Sequence, residues 1–367
     1  TGARILLESL KREGVDLFFG YPGGAVIDIY DELSNHPDLR HILVRHEQGA
    51  VHAADGYARA CGKVGVCLAT SGPGATNTVT GIATAYSDSI PMVIFTGQVS
   101  TPLIGNDAFQ EVDIIGITRP CTKHNFLVKD VKDLAETVRK AFYLARSGRP
   151  GPVLVDIPKN IQQASCEFVW PEDVVMRSYC PTFRANLNQL RRAMDVLVTS
   201  RKPLIVAGGG VIMANAAEEL CTLAHLMHAP VCSTLMGLGA FPGDDPLWIG
   251  MLGMHGTFAA NRAVTQADVI LAVGARFDDR VTGKLSQFAP NARIVHIDID
   301  PTTLRKNVRV EVPVVSDALS ALQGLRSILE SGHAQKDWAG DHADWMGQVL
   351  EWQKEHPLSW AKGDVLK

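Results

Sequence analysis

Residues 64–77 read Val-Gly-Val-Cys-Leu-Ala-Thr-Ser-Gly-Pro-Gly-Ala-Thr-Asn, a short unbroken apolar run that ends in a glycine-rich turn. An apolar run without polar alternation marks a strand buried on both faces, as in a parallel sheet covered by helices. In such sheets ligands bind beyond the carboxyl ends of the strands, so the residues just after the run are the informative ones. Glycine at that point lets a ligand approach the main chain closely.

The same grammar recurs on either side. Residues 17–19 run into Gly20-Tyr21-Pro22-Gly23-Gly24, and residues 41–44 run into Arg45-His46-Glu47-Gln48-Gly49-Ala50. Further apolar runs fall at 92–96 and 153–157, with helix-period segments over 3–13, from Ala25 and from Gln48. We expect residues 1–163 to form an α/β domain with a doubly wound parallel sheet. Periodicity fades over 164–188, where Pro171 and Pro181 appear, which predicts an ordered linker. A second alternating set follows in 189–335, with strands at 203–207, 231–234, 269–273, 294–297 and 312–315 and helices at 216–228 and 318–329. It predicts a second doubly wound, Rossmann-like domain. From Lys336 the chain turns polar yet carries Trp338, Trp345, Trp352 and Trp360, rings that need a partner; they either cap the second domain or lead onward, with 336–367 expected as a linker toward a further domain.

Composition narrows the partners. A chain of 367 residues exceeds what one hydrophobic core organises, and 46% hydrophobic with 20% charged residues is ordinary for a folded chain. The net charge is −4 and no Lys/Arg run occurs, so the footprint of a nucleic-acid or acidic-lipid binder is absent. No apolar stretch approaches the roughly 18 residues of a membrane span. We expect small-molecule partners, with no nucleic acid and no membrane. The seven cysteines lack CxxC spacing, so the sequence spells neither a zinc site nor a disulfide framework, and no metal ligands are expected in this chain. A reducing compartment and the absence of a leader pattern at Thr1 fit a bacterial-type cytoplasmic protein.

Three glycine-rich turns thus surround one carboxylate, Glu47, which in isolation would read as a helix cap. In order along the chain, GYPGG (20–24), RHEQG (45–49), TSGPGATN (70–77), GNDAFQE (105–111), Lys123-His124 and SGRPGPVLVDIPK (147–159) resemble the large catalytic subunit of acetohydroxyacid synthase (acetolactate synthase), a thiamine-diphosphate enzyme. LMGLG (235–239), GMLGMHGT (250–257), GARFDDRVTG (274–283) and HIDIDP (296–301) are similar to its flavin-binding middle domain. The resemblance covers essentially the whole chain. It implies a thiamine pyrimidine-binding domain followed by an FAD domain, and an enzyme that joins pyruvate to pyruvate or 2-oxobutyrate. It further implies a homodimer or dimer of dimers with a small regulatory subunit.

By that resemblance Gly23, Gly24 and Glu47 meet thiamine diphosphate, Glu47 hydrogen-bonding a ring nitrogen of its aminopyrimidine as the catalytic carboxylate. Phe109, Gln110, Lys159 and Arg280 line the substrate channel, the first two from the neighbouring subunit. FAD is held by Arg149, Gly209, Thr234, Leu252, Gly253, Met254, His255, Gly274, Ala275, Arg276, Phe277, Asp278, Asp298, Ile299 and Asp317. Two positions depart from pattern. Met213 stands where a dinucleotide fingerprint wants its third glycine, and Asn160 where the family often has Asp. The family also anchors Mg2+ and the diphosphate through a Gly-Asp-Gly segment; none occurs here, so this chain is expected to stop short of that domain and to be inactive alone. The rival readings are another thiamine-dependent carboligase and a non-catalytic FAD-binding or assembly module.

Overall fold

A computed structural model describes residues 1–332 and 336–358. The chain forms two compact units, Thr1–Cys180 and Pro181–Lys367.

The first unit is built on a six-stranded sheet of β1 (Leu17–Gly20), β2 (Arg40–Leu43), β3 (Gly65–Ala69), β4 (Met92–Gln98), β5 (His124–Leu127) and β6 (Pro152–Pro158). The strand order is β2-β1-β3-β4-β6-β5, and every pair is parallel. The central strands β3, β4 and β6 are buried along their whole length, which is why they read as unbroken apolar runs. β5 was not legible. It is a four-residue edge strand, His-Asn-Phe-Leu, with no fully buried position. The chain winds from β1 to β2 on one side and from β3 outward on the other, so a topological switch point lies between β1 and β3.

The second unit repeats the plan with β7 (Pro203–Ala207), β8 (Val231–Ser233), β9 (Trp248–Met251), β10 (Val269–Val273), β11 (Arg293–Asp298) and β12 (Val312–Val315). Its order, β12-β11-β10-β7-β8-β9, is again wholly parallel, with the switch point between β7 and β10. Alternate residues of these two strands feed separate cores: Ile205, Ala207, Leu271 and Val273 on one face, Leu204, Val206, Ile270 and Ala272 on the other.

Two expectations change on inspection. Residues 164–186 contain no regular element, yet Phe168, Trp170, Met176 and Tyr179 pack against the first unit's core, so most of the linker belongs to that unit. Of the two roles open to the tryptophan-bearing tail, capping prevails over a bare linker: Trp338–Glu355 is an 18-residue helix. Trp338, Trp345 and Trp352 are spaced by seven residues, two helical turns, and so fall on one stripe. All three are buried in the second unit's cores. Trp345 donates its indole N–H to the Pro203 carbonyl at 2.8 Å and meets Trp352 edge-on at 5.7 Å. Trp360 lies outside the described residues. Among the described residues no helix is long and apolar enough to cross a membrane.

If this helix is integral to the second unit, Trp345→Ala will cost about 3–5 kcal/mol in denaturant unfolding, the usual scale for emptying a buried tryptophan site. A loss below about 1 kcal/mol, the range of surface substitutions, would show that the helix merely rests on the surface.

Candidate cofactor-binding site

The turns after β1 and β3 face each other at the first switch point. A side chain at Gly23 would strike Thr70, its Cβ falling 2.5 Å from the Thr70 Cβ. Thr70, buried, accepts the Ala25 N–H on Oγ1 at 3.2 Å, which ties the two turns together. A Cβ at Gly74 would sit 2.6 Å from Thr70 Cγ2 and 3.2 Å from Glu47 Oε1. Glycine at these positions is therefore required by space.

Glu47 is the first residue of the helix Glu47–Cys61 and is only 8% exposed. The helix is capped one residue earlier, by His46 Nδ1 accepting the Gln48 N–H at 3.1 Å, so the Glu47 carboxylate is not consumed as a cap. Its Oε2 accepts from Asn77 Nδ2 at 2.9 Å, while Oε1 faces Gly74. Asn77 lies in the TSGPGATN motif, yet no sequence signal pairs it with Glu47, because 30 residues separate the two and only the fold joins them.

The segment 105–111 closes against this floor. The Glu111 carboxylate accepts the N–H groups of Gly105 and of Ala108, the latter at 3.0 Å, and these bonds hold its pKa below the usual range. The backbone is left-handed at Gly105, Asp107 and Gln110, and a Cβ at Gly72 would meet the Gln110 carbonyl at 2.6 Å. Phe109 is 87% exposed. Lys159 Nζ donates to the Gly24 carbonyl at 3.2 Å, and Asn160 grips Thr101 through its N–H at 2.9 Å and its hydroxyl at 2.8 Å. The structure thus gathers Gly23, Gly24, Glu47, Gln110 and Lys159 at one sheet edge. Arg149 lies apart, ahead of the amino end of β6, donating to Ser89 Oγ at 2.8 Å.

Beneath the loop, Gln98 spans both its ends: Nε2 donates to the Val112 carbonyl at 3.0 Å and Oε1 accepts the Val99 N–H at 2.9 Å. Asp156 fixes Gln98, accepting from Nε2 at 3.0 Å and from Thr96 Oγ1 at 2.7 Å. Burial pushes the Asp156 carboxyl up to about 7 despite these two bonds, with the Asp113 charge adding to the rise.

In the second unit the expected positions fall immediately beyond strand ends: Gly209 after β7, Thr234 after β8, Leu252–His255 after β9, Gly274–Asp278 after β10, Ile299 after Asp298 at the end of β11, and Asp317 after β12. At the switch point Gly208 N–H donates to the Val273 carbonyl at 2.9 Å and Gly210 N–H to the Gly274 carbonyl at 3.1 Å. Gly274 is left-handed, φ +59, and a Cβ there would lie 2.5 Å from the Gly210 Cα. Phe277 is also left-handed, φ +51, an unusual state for a bulky residue. Its buried ring packs on Phe288 and His296, and its carbonyl accepts from Asn307 Nδ2 at 2.8 Å. His296, buried and pushed down to about 4 by desolvation, stays neutral and lies 2.8 Å from the Ala275 carbonyl through Nε2. Asp278 and Asp317 cap the helices that follow them, and Asp298 Oδ1 accepts the Asp300 N–H at 2.9 Å. Met254 and His255 are exposed; Arg280, also exposed, contacts Asp279 at 3.7 Å and Met254 Sδ at 3.8 Å.

Comparison with known proteins agrees with this division into two domains. Residues 1–117 match the N-terminal TPP binding domain of thiamine pyrophosphate enzymes, and residues 190–325 match their central domain. The chain belongs to the thiamine pyrophosphate enzyme family. Within it, the chain is similar to acetolactate synthase large subunits. It is 51% identical over 364 residues to isozyme 3 of Escherichia coli, covering 98% of this chain and 63% of that protein. It is 50% identical over 361 residues to the large subunit of Buchnera aphidicola from Schizaphis graminum, covering 97% and 63%. It is 51% identical over 356 residues to a probable large subunit of Methanocaldococcus jannaschii, covering 96% and 59%. The chain therefore spans about three-fifths of the length of these relatives.

The Asp156 carboxyl gives a pH signature. Its folded pKa, about 7, lies above the ordinary 3.8, so its contribution to stability is full below about pH 4 and is lost as pH rises through about 7. Asp156→Asn should remove this component: between pH 5 and 8 the wild-type thermal midpoint falls relative to that of the variant. Parallel profiles would show that Asp156 ionises normally.

Proposed function

We propose that this chain supplies the thiamine- and flavin-binding parts of an acetolactate synthase large subunit. Such an enzyme decarboxylates pyruvate and joins the remaining two carbons to a second 2-keto acid. Pyruvate as acceptor gives 2-acetolactate; 2-oxobutyrate gives 2-aceto-2-hydroxybutyrate, at the first common step of branched-chain amino-acid synthesis. The observation that carries the reading is Glu47, a buried carboxylate at a switch point, with one oxygen held by Asn77 and the other facing a residue without a side chain. The similarity to acetolactate synthase large subunits along nearly all of this chain supports the reaction.

The site suits an aminopyrimidine because Glu47 keeps one acceptor to spare: Asn77 engages Oε2, and no hydrogen bond among the described residues engages Oε1. Thiamine diphosphate, when bound, supplies an acidic ring carbon that serves as the nucleophile. Glu47 Oε1 would accept a charge-assisted hydrogen bond from the pyrimidine, worth about 1.5–3 kcal/mol, while Asn77 keeps the carboxylate aimed. Gly23, Gly24 and Thr70 shape the floor, and Lys159 sits at the channel wall. Phe109 and Gln110, exposed on this chain, suit contact with a neighbouring subunit's site in a homodimer or dimer of dimers. Arg280 presents a guanidinium whose fork matches the acceptor's carboxylate.

The second unit's strand ends fit FAD. Six strands at about 4.8 Å spacing give an edge of about 24 Å, suited to an extended dinucleotide. Gly209, Thr234, Leu252–His255, Gly274–Asp278, Asp298, Ile299 and Asp317 would hold it, without a redox role in the net reaction. In this reading residues 1–163 are the pyrimidine-binding domain, 164–188 the linker and 189–335 the FAD domain. No Gly-Asp-Gly segment, the family's anchor for Mg2+ and the diphosphate, occurs in this sequence. A small regulatory subunit and a cytoplasmic setting complete the proposal.

In the full-length enzyme carrying this chain, Glu47→Gln should lower acetolactate formation by about 10²- to 10⁴-fold, the range of lost proton-transfer catalysis, with flavin absorbance unchanged. Near-normal turnover would remove Glu47 from the mechanism. Arg280→Ala should raise KM for the acceptor while sparing pyruvate decarboxylation; equal losses in both would make Arg280 a structural contact.

A further inference from the structure

At the edge of the second sheet opposite the flavin positions, three side chains converge that no sequence spacing announces. Cys221 and His225 lie one turn apart on the helix Ala217–Met227 and so share a face. Asp245 reaches them from the loop leading into β9. Its Oδ1 accepts the Leu247 N–H at 2.9 Å, which aims Oδ2 at His225 Nε2, 2.8 Å away. The Cys221 sulfur, the His225 ring nitrogen and the Asp245 oxygen all lie within 4.8 Å of one another. Buried Phe241 stacks on the imidazole, ring centroids 6.5 Å apart and planes at 24°, and so limits its rotation.

We propose that Cys221, His225 and Asp245 form a binding site for a thiophilic divalent transition-metal ion, with zinc as the preferred occupant. A thiolate, an imidazole and a carboxylate are a donor set that suits zinc or cobalt and not Mg2+, which takes oxygen donors. Tetrahedral bonds of about 2.0–2.3 Å require ligand atoms about 3.3–3.8 Å apart, so the group needs side-chain adjustments of about an ångström. The His225 side chain is half exposed, which leaves water access for the fourth position. A His–Asp pair alone would be an ordinary surface ion pair; the Cys221 sulfur within reach of both is what distinguishes this group. Burial, and then the Asp245 charge, push the Cys221 thiol up, so the ion must displace its proton on binding. A bound ion would clip the loop ahead of β9 to the helix Ala217–Met227. Nothing in this site draws on the thiamine or flavin reading.

The test uses the 367-residue chain, stripped with chelator and titrated with CoCl2 or ZnCl2 in excess Mg2+. One equivalent of cobalt should give a near-ultraviolet sulfur-to-cobalt charge-transfer band. Zinc should raise the thermal midpoint, and EDTA should reverse the rise. Cys221→Ser should abolish the band. His225→Gln and Asp245→Asn should each weaken binding by at least about tenfold, the loss seen even for outer-sphere partners. Serine at Cys61 and Cys180, the exposed thiols, should change nothing. The proposal is overturned if the band survives in Cys221→Ser, if it vanishes with Cys61 or Cys180, or if no saturable binding is found.

Discussion

Each sheet is wound outward from one pair of neighbouring parallel strands, β1 and β3 in the first unit and β7 and β10 in the second. At those two places the departing turns must pass at backbone distance. In the first unit Gly23 and Gly74 both abut Thr70; in the second Gly208 and Gly210 hydrogen-bond directly to residues 273 and 274. This contact is what the glycine-rich motifs are for. It also sets the chemistry, because side chains removed from a switch point leave backbone and one or two chosen polar groups to face a ligand. In the first unit the buried carboxylate at that point is Glu47.

Glu47 in turn depends on a chain of smaller constraints. His46 takes the capping role, Asn77 holds one oxygen, and the other faces Gly74. The loop over the site is braced from below by Gln98 and Asp156, and internally by Glu111. Asp156 and His296 each stand buried in one of the two sheets, and in both cases burial favours the neutral form at physiological pH or leaves it closely poised. Both are positioning residues that act through the backbone or side chain they hold.

Much of this was legible in the sequence where burial is two-sided. β3, β6, β7 and β10 appear as apolar runs because helices cover both faces of a parallel sheet, and the residues after them follow from the topology rule. The edge strands β5 and β9 escaped notice because β5, His-Asn-Phe-Leu, opens on two polar residues and β9, Trp-Ile-Gly-Met, is broken by a glycine, so neither forms an apolar run. The tail helix was obscured because its buried apolar stripe, Trp338, Trp345, Met346, Val349 and Trp352, is narrow on a polar background, and a seven-residue spacing reads as a helix face only once a partner surface is in place. The Glu47–Asn77 bond and the Cys221–His225–Asp245 group were illegible for a different reason: they join residues 30 and up to 24 positions apart that only the folded chain brings together.

The central claim is that the carboxylate at the first switch point recognises the pyrimidine of thiamine diphosphate. Its most direct test is a crystal structure of the full-length enzyme carrying this chain, grown with thiamine diphosphate and Mg2+. The account predicts a pyrimidine ring nitrogen within about 3 Å of Glu47 Oε1, at hydrogen-bonding distance, with Asn77 still on Oε2. A pyrimidine bound at another strand end, with Glu47 left to Asn77 alone, would contradict it.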